Sequence, residues 1–251
     1  MGKIRLTVIL ITGGTQGIGK AIGMAFAKQG ATVILNYHFN EEEAQKAVEE
    51  IFTITHANIC AYKADVANET QVNKMINQLI SQFGQIDILV NNAGIFKNAV
   101  SWKMEKEDWD SVLATNLTGA YLCTKYVLPH MRERGFGRII NISSVVGQTG
   151  VFGASNYAAS KAGLIGFTKA IAREVAIKGI TVNCVALGYI DAGMNLRLSI
   201  ELREKIRVQI PMQRFGTVEE VAETIIFISS KSASYITGQV IAVNGGYFMG
   251  S

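Results

Sequence analysis

A chain of 251 residues, 49% hydrophobic and 18% charged, can bury one sizeable core, and with only two prolines and no Ser/Gly/Pro-rich stretch it has no linker. Residues 1–251 therefore read as one domain. The net charge of +4 is scattered rather than striped and comes with no nucleic-acid motif, which excludes nucleic acid as a partner. The cysteines, Cys60, Cys123 and Cys184, are widely spaced with no CxxC pair, which argues against a disulfide framework or a metal site and places the chain in a reducing cytoplasm.

At the amino terminus Lys3 and Arg5 precede an apolar run. Leu6–Ile11 is too short for a signal peptide and leads straight into Gly13-Gly14, so it reads as a buried first strand. Gly2 lacks the Ser or Thr that myristoylation wants at residue 6, and no stretch approaches the ~18 apolar residues that span a membrane, so no membrane partner is expected. Further β-branched runs follow at Thr32–Asn36, Asn58–Tyr62, Ile86–Val90, Arg138–Ile142, Thr181–Val185 and Gln239–Val243. Helical patterns lie between them near Gly17–Gln29, Glu41–Thr53, Glu69–Phe83, Trp109–Arg134, Tyr157–Ile177 and Val218–Ser229. This alternation predicts an α/β, Rossmann-like fold, a doubly wound parallel sheet of seven strands with helices on both faces. Ligands of such sheets settle at the carboxyl ends of the strands.

The first strand end carries Thr12-Gly13-Gly14-Thr15-Gln16-Gly17-Ile18-Gly19, where glycines let the backbone approach a pyrophosphate at the positive end of the next helix. The second ends in Asn36-Tyr37-His38, with no carboxylate to bond an adenosine 2′-hydroxyl. That favours NADPH over NADH, with Asn36 and His38 as neighbours of the 2′-phosphate, although Gln16 stands where an arginine would have settled the matter. Asp65-Val66 follows the third strand and can bond the adenine; Asn91-Asn92-Ala93-Gly94 follows the fourth as a small-residue shelf beside the cofactor. Each is also an ordinary turn sequence, and their joint placement is the signal. Asn116 lies within the apolar stripe of its helix, as a strand-bonded amide or as the group that orders water leading from Lys161. Tyr157 and Lys161 share a helix face, and Ser144 can reach them from the preceding strand. A tyrosine that exchanges protons near neutrality needs a cation beside it, which Lys161 can supply.

Taken together, Thr12–Gly19, Asn91–Gly94, Asn116, Ser144 and Tyr157-Ala158-Ala159-Ser160-Lys161 resemble the short-chain dehydrogenase/reductase pattern over nearly the whole chain. Within it, Phe83 through Gly94 and Tyr235-Ile236-Thr237-Gly238-Gln239 resemble bacterial β-ketoacyl-acyl-carrier-protein reductases. The resemblance implies an NADPH-dependent oxidoreductase of fatty acid biosynthesis that assembles as a homotetramer. It makes Ser144 the group that polarises the ketone, Tyr157 the acid, Lys161 the ligand of the nicotinamide ribose and Asn116 the end of a proton relay. The main chain at Ile190, after Gly188, would hold the nicotinamide amide. The chain departs from the pattern at Leu187, where proline is usual, and at Ala192, where threonine is usual, which predicts looser cofactor closure.

Residues 189–215 are expected to form a lid lined by Met194, Leu196, Leu198, Ile206 and Met212, side chains that suit an acyl or alicyclic body. The ketone expected first is a 3-oxoacyl thioester on acyl carrier protein or CoA, with Lys178 and Arg134 or Arg138 beside the pocket mouth to meet an acidic carrier. The alternatives are a tailoring ketoreductase or alcohol dehydrogenase for a polyketide, steroid-like or small cyclic ketone, and, in a different class, a nucleotide-binding protein without chemistry.

Overall fold

A strand buried on both faces reads as a near-continuous apolar run, and its alternating side chains then serve two cores. The computed structural model describes residues 7–250, apart from the side chains of Met194 and Arg197. In β1 (Val8–Ile11), Ile9 and Ile11 enter one core while Val8 and Leu10 enter the other. Around it lie β2 (Thr32–Tyr37), β3 (Ile59–Lys63), β4 (Ile88–Asn91), β5 (Gly137–Ser144), β6 (Ile180–Leu187) and β7 (Val240–Val243). All pair in parallel, in the order β3-β2-β1-β4-β5-β6-β7. The chain is thus a single α/β domain with the seven-stranded parallel sheet that its sequence implies. Gly2, Lys3, Arg5 and Leu6 lie outside the described residues.

The helices are α1 (Gly17–Lys28), α2 (Glu41–Thr55), α3 (Glu69–Phe83), α4 (Lys106–Leu113), α5 (Gly119–Arg134), α6 (Val146–Thr149), α7 (Ser155–Val175), α8 (Ile200–Arg207) and α9 (Val218–Ser229). Ile22 and Phe26 of α1, Ile51 of α2 and Val221 and Ile225 of α9 join Ile9 and Ile11 in the first core. Val72 and Ile76 of α3, Leu122 and Val127 of α5 and Val175 of α7 join Val8 and Leu10 in the second. Each such fully buried aliphatic side chain contributes about 1.5–3 kcal/mol. Strands and the helices that return beside them run in opposite directions, so every strand end and the helix start that follows it meet along one edge of the sheet.

Four helix starts among the described residues are closed by side chains. Asn40 accepts from the Glu43 amide, Asn68 from the Gln71 amide and Ser199 from the Leu202 amide, and Thr217 and Glu220 form a reciprocal capping box.

The long helix expected over Trp109–Arg134 begins earlier and is interrupted. α4 passes through a π-helical turn at Ala114–Thr118 before α5 begins, and Asn116 sits in that wider turn.

Candidate active site

The glycine loop between β1 and α1 is strapped to the end of β4. The Thr12 hydroxyl accepts from the amides of Asn92 (2.9 Å) and Ala93 (3.0 Å), and the Asn92 side chain donates to the carbonyls of Thr12 (3.0 Å) and Gly13 (2.9 Å). A Cβ on Gly13, whose φ is +58°, would stand 3.0 Å from the Ala93 backbone, so only glycine fits this approach. Gly17 (φ +50°) instead has no tight neighbour, the nearest atom to its Cβ position being the Gly193 backbone at 3.8 Å. Unlike α2, α3 and α9, α1 has no side-chain cap and no acidic residue in its first turn. Its free amides, with room left by Gly17, suit the pyrophosphate of a dinucleotide. Thr15 is buried, Gln16 is exposed at the N-cap, and Ile18 and Gly19 open the helix.

Asp65 follows β3 with its carboxylate accepting from the Ala67 amide (2.9 Å) and lying 3.8 Å from His38 Nε2; the buried Val66 packs against Gly119. Asn36 has a different place from the expected one. It is buried, its Nδ2 donates to the carbonyl of Ala64 (2.9 Å) and lies 3.3 Å from that of Tyr62, and its Oδ1 accepts from Gly13 N at 3.4 Å. Its side chain holds the strands and the loop together and is not free to meet a 2′-phosphate. Tyr37 and His38 remain on the accessible side.

Further along the same edge, β5 ends at Ser144, and α7 begins two residues before Tyr157. Ser144 stands beside Tyr157, near enough to favour its phenolate, and Lys161 Nζ lies 5.5 Å from the centre of the Tyr157 ring. Lys161 is buried and donates to the Ile142 carbonyl at 2.7 Å. Burial disfavours the charged form of each group: it pushes the Tyr157 hydroxyl up to about 12, against a smaller opposite pull from Ser144, and the Lys161 ammonium down to about 8. Burial thus outweighs every acidifying influence on the tyrosine, and the Lys161 ammonium is hydrogen-bonded to the backbone rather than to the tyrosine oxygen. Gly94 brings the shelf under the pair, a Cβ there standing 3.6 Å from Lys161 Nζ and 3.4 Å from Asn116 Oδ1.

Asn116 has its amide engaged on three sides, accepting from Ile95 N (2.8 Å) and donating to Ile95 O (3.0 Å) and Ser160 Oγ (3.2 Å). Ser160 in turn donates to the Tyr157 carbonyl at 2.8 Å. Asn116 therefore ties the shelf to the start of α7.

After β6, Gly188 lies against Asn244, where a Cβ would come within 2.7 Å of backbone, and Ile190 is buried with its carbonyl taken by Ala192 N and Asn195 Nδ2, both at 2.8 Å. Leu187 extends β6 by pairing with Ser144 and Val243, and Ala192 is buried.

A family model described as enoyl-(acyl carrier protein) reductase matches residues 13–248. The chain is also 46% identical over 240 residues to 3-oxoacyl-[acyl-carrier-protein] reductase FabG of Staphylococcus aureus strain Mu50, covering 96% of this chain and 97% of that one. The proteins of the same name from Aquifex aeolicus and Thermotoga maritima are 45% and 44% identical, with 98% and 95% of this chain covered and 99% and 96% of theirs. The chain belongs to the short-chain dehydrogenase/reductase family. It is an oxidoreductase, and the cofactor that this family implies is NAD(P).

Two features of this short-chain reductase escaped the sequence. Phe96, just past the shelf, meets the Tyr157 ring edge-on, with centroids 5.2 Å apart and planes at 80°, while 40% of its surface stays exposed. A lone Phe outside any periodic run gives no signal of such a place.

The second feature concerns the basic side chains expected at the pocket mouth. Arg134 ends α5 and pairs with the buried Asp87 just before β4, Arg138 is buried at the start of β5 with its guanidinium on the Gly137 and Gly179 carbonyls, and Lys178 precedes β6. All three stand at the amino edge of the sheet, opposite Ser144 and Tyr157, because a helix that starts at the carboxyl edge must end at the other.

Of the expected lid lining, Ile206 is buried, Leu196 and Met212 are largely exposed, Leu198 is intermediate, and the side chain of Met194 lies outside the described residues.

Proposed function

We propose that the protein uses NADPH to reduce a ketone to a secondary alcohol, the ketone being a 3-oxoacyl thioester on acyl carrier protein or CoA. The observation that carries this reading is the convergence of Ser144, Tyr157 and the buried ammonium of Lys161, 5.5 Å from the tyrosine ring, at the carboxyl edge. Ser144 and Tyr157 can both donate to one carbonyl oxygen, so they polarise a ketone and hold the charge that develops on it. Tyr157 then transfers its proton to that oxygen. Lys161 offsets the charge left on the phenolate and, on leaving the Ile142 carbonyl, reaches the nicotinamide ribose. A bound nicotinamide supplies the hydride.

Asn116 keeps Ile95 and Ser160 in place and so holds open the path by which water re-protonates the site. The α1 amides with Gly13, Thr15, Gln16, Gly17, Ile18 and Gly19 hold the pyrophosphate; Tyr37, His38, Asp65 and Val66 hold the adenosine; and Asn92, Ala93 and Gly94 form the floor. At Ile190 the carbonyl is already taken, which leaves the N–H for the nicotinamide amide. Residues 189–215, with α8, act as the lid. The family relatives named above support the thioester, since each is called a 3-oxoacyl carrier-protein reductase. We place the enzyme in the cytoplasm as a homotetramer, in which Tyr121 and Phe167, packed edge to face on α5 and α7, are covered. No described helix is long and apolar enough to cross a membrane.

The test is cofactor oxidation with an acetoacetyl thioester, with NADPH and NADH in parallel. Tyr157→Phe is expected to lower turnover by about 10²–10⁴-fold while cofactor binding persists. Wild type that binds NADPH but leaves the thioester untouched would overturn the substrate. A bulkier cyclic ketone is the second reading, favoured by the exposed Phe96, Trp102 and Phe152. A binding protein without chemistry has no use for a donor pair and a cation converging on one point.

A further inference from the structure

At the outer end of the same edge, Tyr37 of β2 stands in register with Lys63 of β3, so the two side chains leave the sheet on one face. Lys63 lines a cavity of about 450 Å³ together with His38, Phe39, Tyr62, Gln71 and Lys74, the last two from α3. The rings of His38 and Phe39 lie 3.6 Å apart, centroid to centroid. Among the described residues neither Lys63 nor Lys74 forms an ion pair, whereas Lys20, Lys97, Lys106 and Lys125 each hold a carboxylate at 2.6–2.7 Å. Two ammonium groups thus share a cavity at the strand end where a dinucleotide fold sets its adenosine ribose. The groups nearest in sequence logic are spoken for or neutral: Asn36 is committed to backbone, and Gln16 carries no charge.

We infer that Lys63 and Lys74, with His38, receive the 2′-phosphate of NADPH and set the preference for it over NADH. The inference rests on the NADPH reading above and moves the phosphate contact from Asn36 to side chains of β3 and α3. A phosphate monoester carries about −1.5 to −2 charges at neutral pH, and two ammonium groups from separate elements can approach it together as point charges. Because both lysines are accessible, the attraction is screened by salt.

The test measures binding of 2′,5′-ADP, 5′-AMP, NADPH and NADH to wild type, Lys63→Gln, Lys74→Gln and the double variant, by calorimetry or cofactor fluorescence. Each single variant is expected to weaken 2′,5′-ADP and NADPH by about tenfold, and the double variant by about 10²-fold. NADH and 5′-AMP should change by less than about twofold, which also shows that the variants are folded, and the wild-type preference should shrink as salt rises. A double variant that keeps the wild-type preference for the phosphorylated ligands would overturn the assignment while leaving the NADPH reading intact. Wild type that does not distinguish 2′,5′-ADP from 5′-AMP would overturn both.

Discussion

Burial acts on Lys161 and Tyr157 in opposite senses, and their pH behaviour separates accordingly. Reduction needs the proton on Tyr157 and the charge on Lys161, and the group that fails first as pH rises is the lysine, at about 8. kcat/KM is therefore expected to fall as pH passes through about 8, and a profile flat to about pH 10 would count against the role given to the ammonium. Stability should move the other way. Between about 8 and the ordinary lysine value of 10.5 the folded chain has released a proton that the unfolded chain still binds, so unfolding free energy rises with pH. Tyr157, pushed up from 10.0 to about 12, opposes this only above its unfolded value. Urea midpoints of wild type and Lys161→Met, compared from about pH 7 to 9.5, should show wild type gaining on the variant.

The loop from Asn92 to Met104 shows how elements rather than single residues make the site. Asn92 staples its start to the glycine loop, Asn116 clamps Ile95, and Ala99 N donates to the Gly153 carbonyl at 2.9 Å just before α7. Phe96 is consequently held against Tyr157, where its ring limits the room beside the reacting hydroxyl. Phe96→Ala should raise kcat/KM for bulky ketones relative to the smallest substrate by about tenfold, read from paired kinetics, with little loss of melting temperature because the ring is partly exposed. Nothing in the sequence pattern announces this loop. The helices were legible as periodic runs, the patterns near Glu69–Phe83 and Val218–Ser229 matching α3 and α9. The π turn at 114–118 was not: one extra residue in a turn leaves the apolar periodicity almost unchanged. Asn116 could be picked out as a polar residue in an apolar stripe, yet not that both its donors and its acceptor are occupied.

Over the whole molecule the sheet has a working edge and a holding edge. Strand–helix alternation and the loops at strand ends made the working edge readable, because Gly13, Asp65, Asn92, Ser144 and Gly188 each follow an apolar run. The holding edge was misread: Arg134, Arg138 and Lys178 look like free surface charges in sequence, and only the helix direction shows where they stand. Asp87 there accepts from Val8 N (2.9 Å), Gln85 Nε2 (2.7 Å) and Arg134. Arg134→Met would leave that carboxylate buried without its cation, and the expected loss is about 3 kcal/mol in denaturant titrations with kcat/KM unchanged. A fall in turnover at full occupancy of the folded state would show that the two edges communicate.

The strand order carries one more consequence, for a chain still being made. β1 is flanked by β2 and β4, so the adenosine half of the site needs only the segment up to about Gly94, whereas Ser144, Tyr157 and Gly188 join through β5 and β6. Among the described residues no neighbouring strands are linked by a hairpin, and each pairing must wait for a helix to be threaded across the sheet. A nascent polypeptide can thus present a nucleotide cradle long before it can react, and a dinucleotide present during synthesis would favour those intermediates that have already aligned β1 with β4.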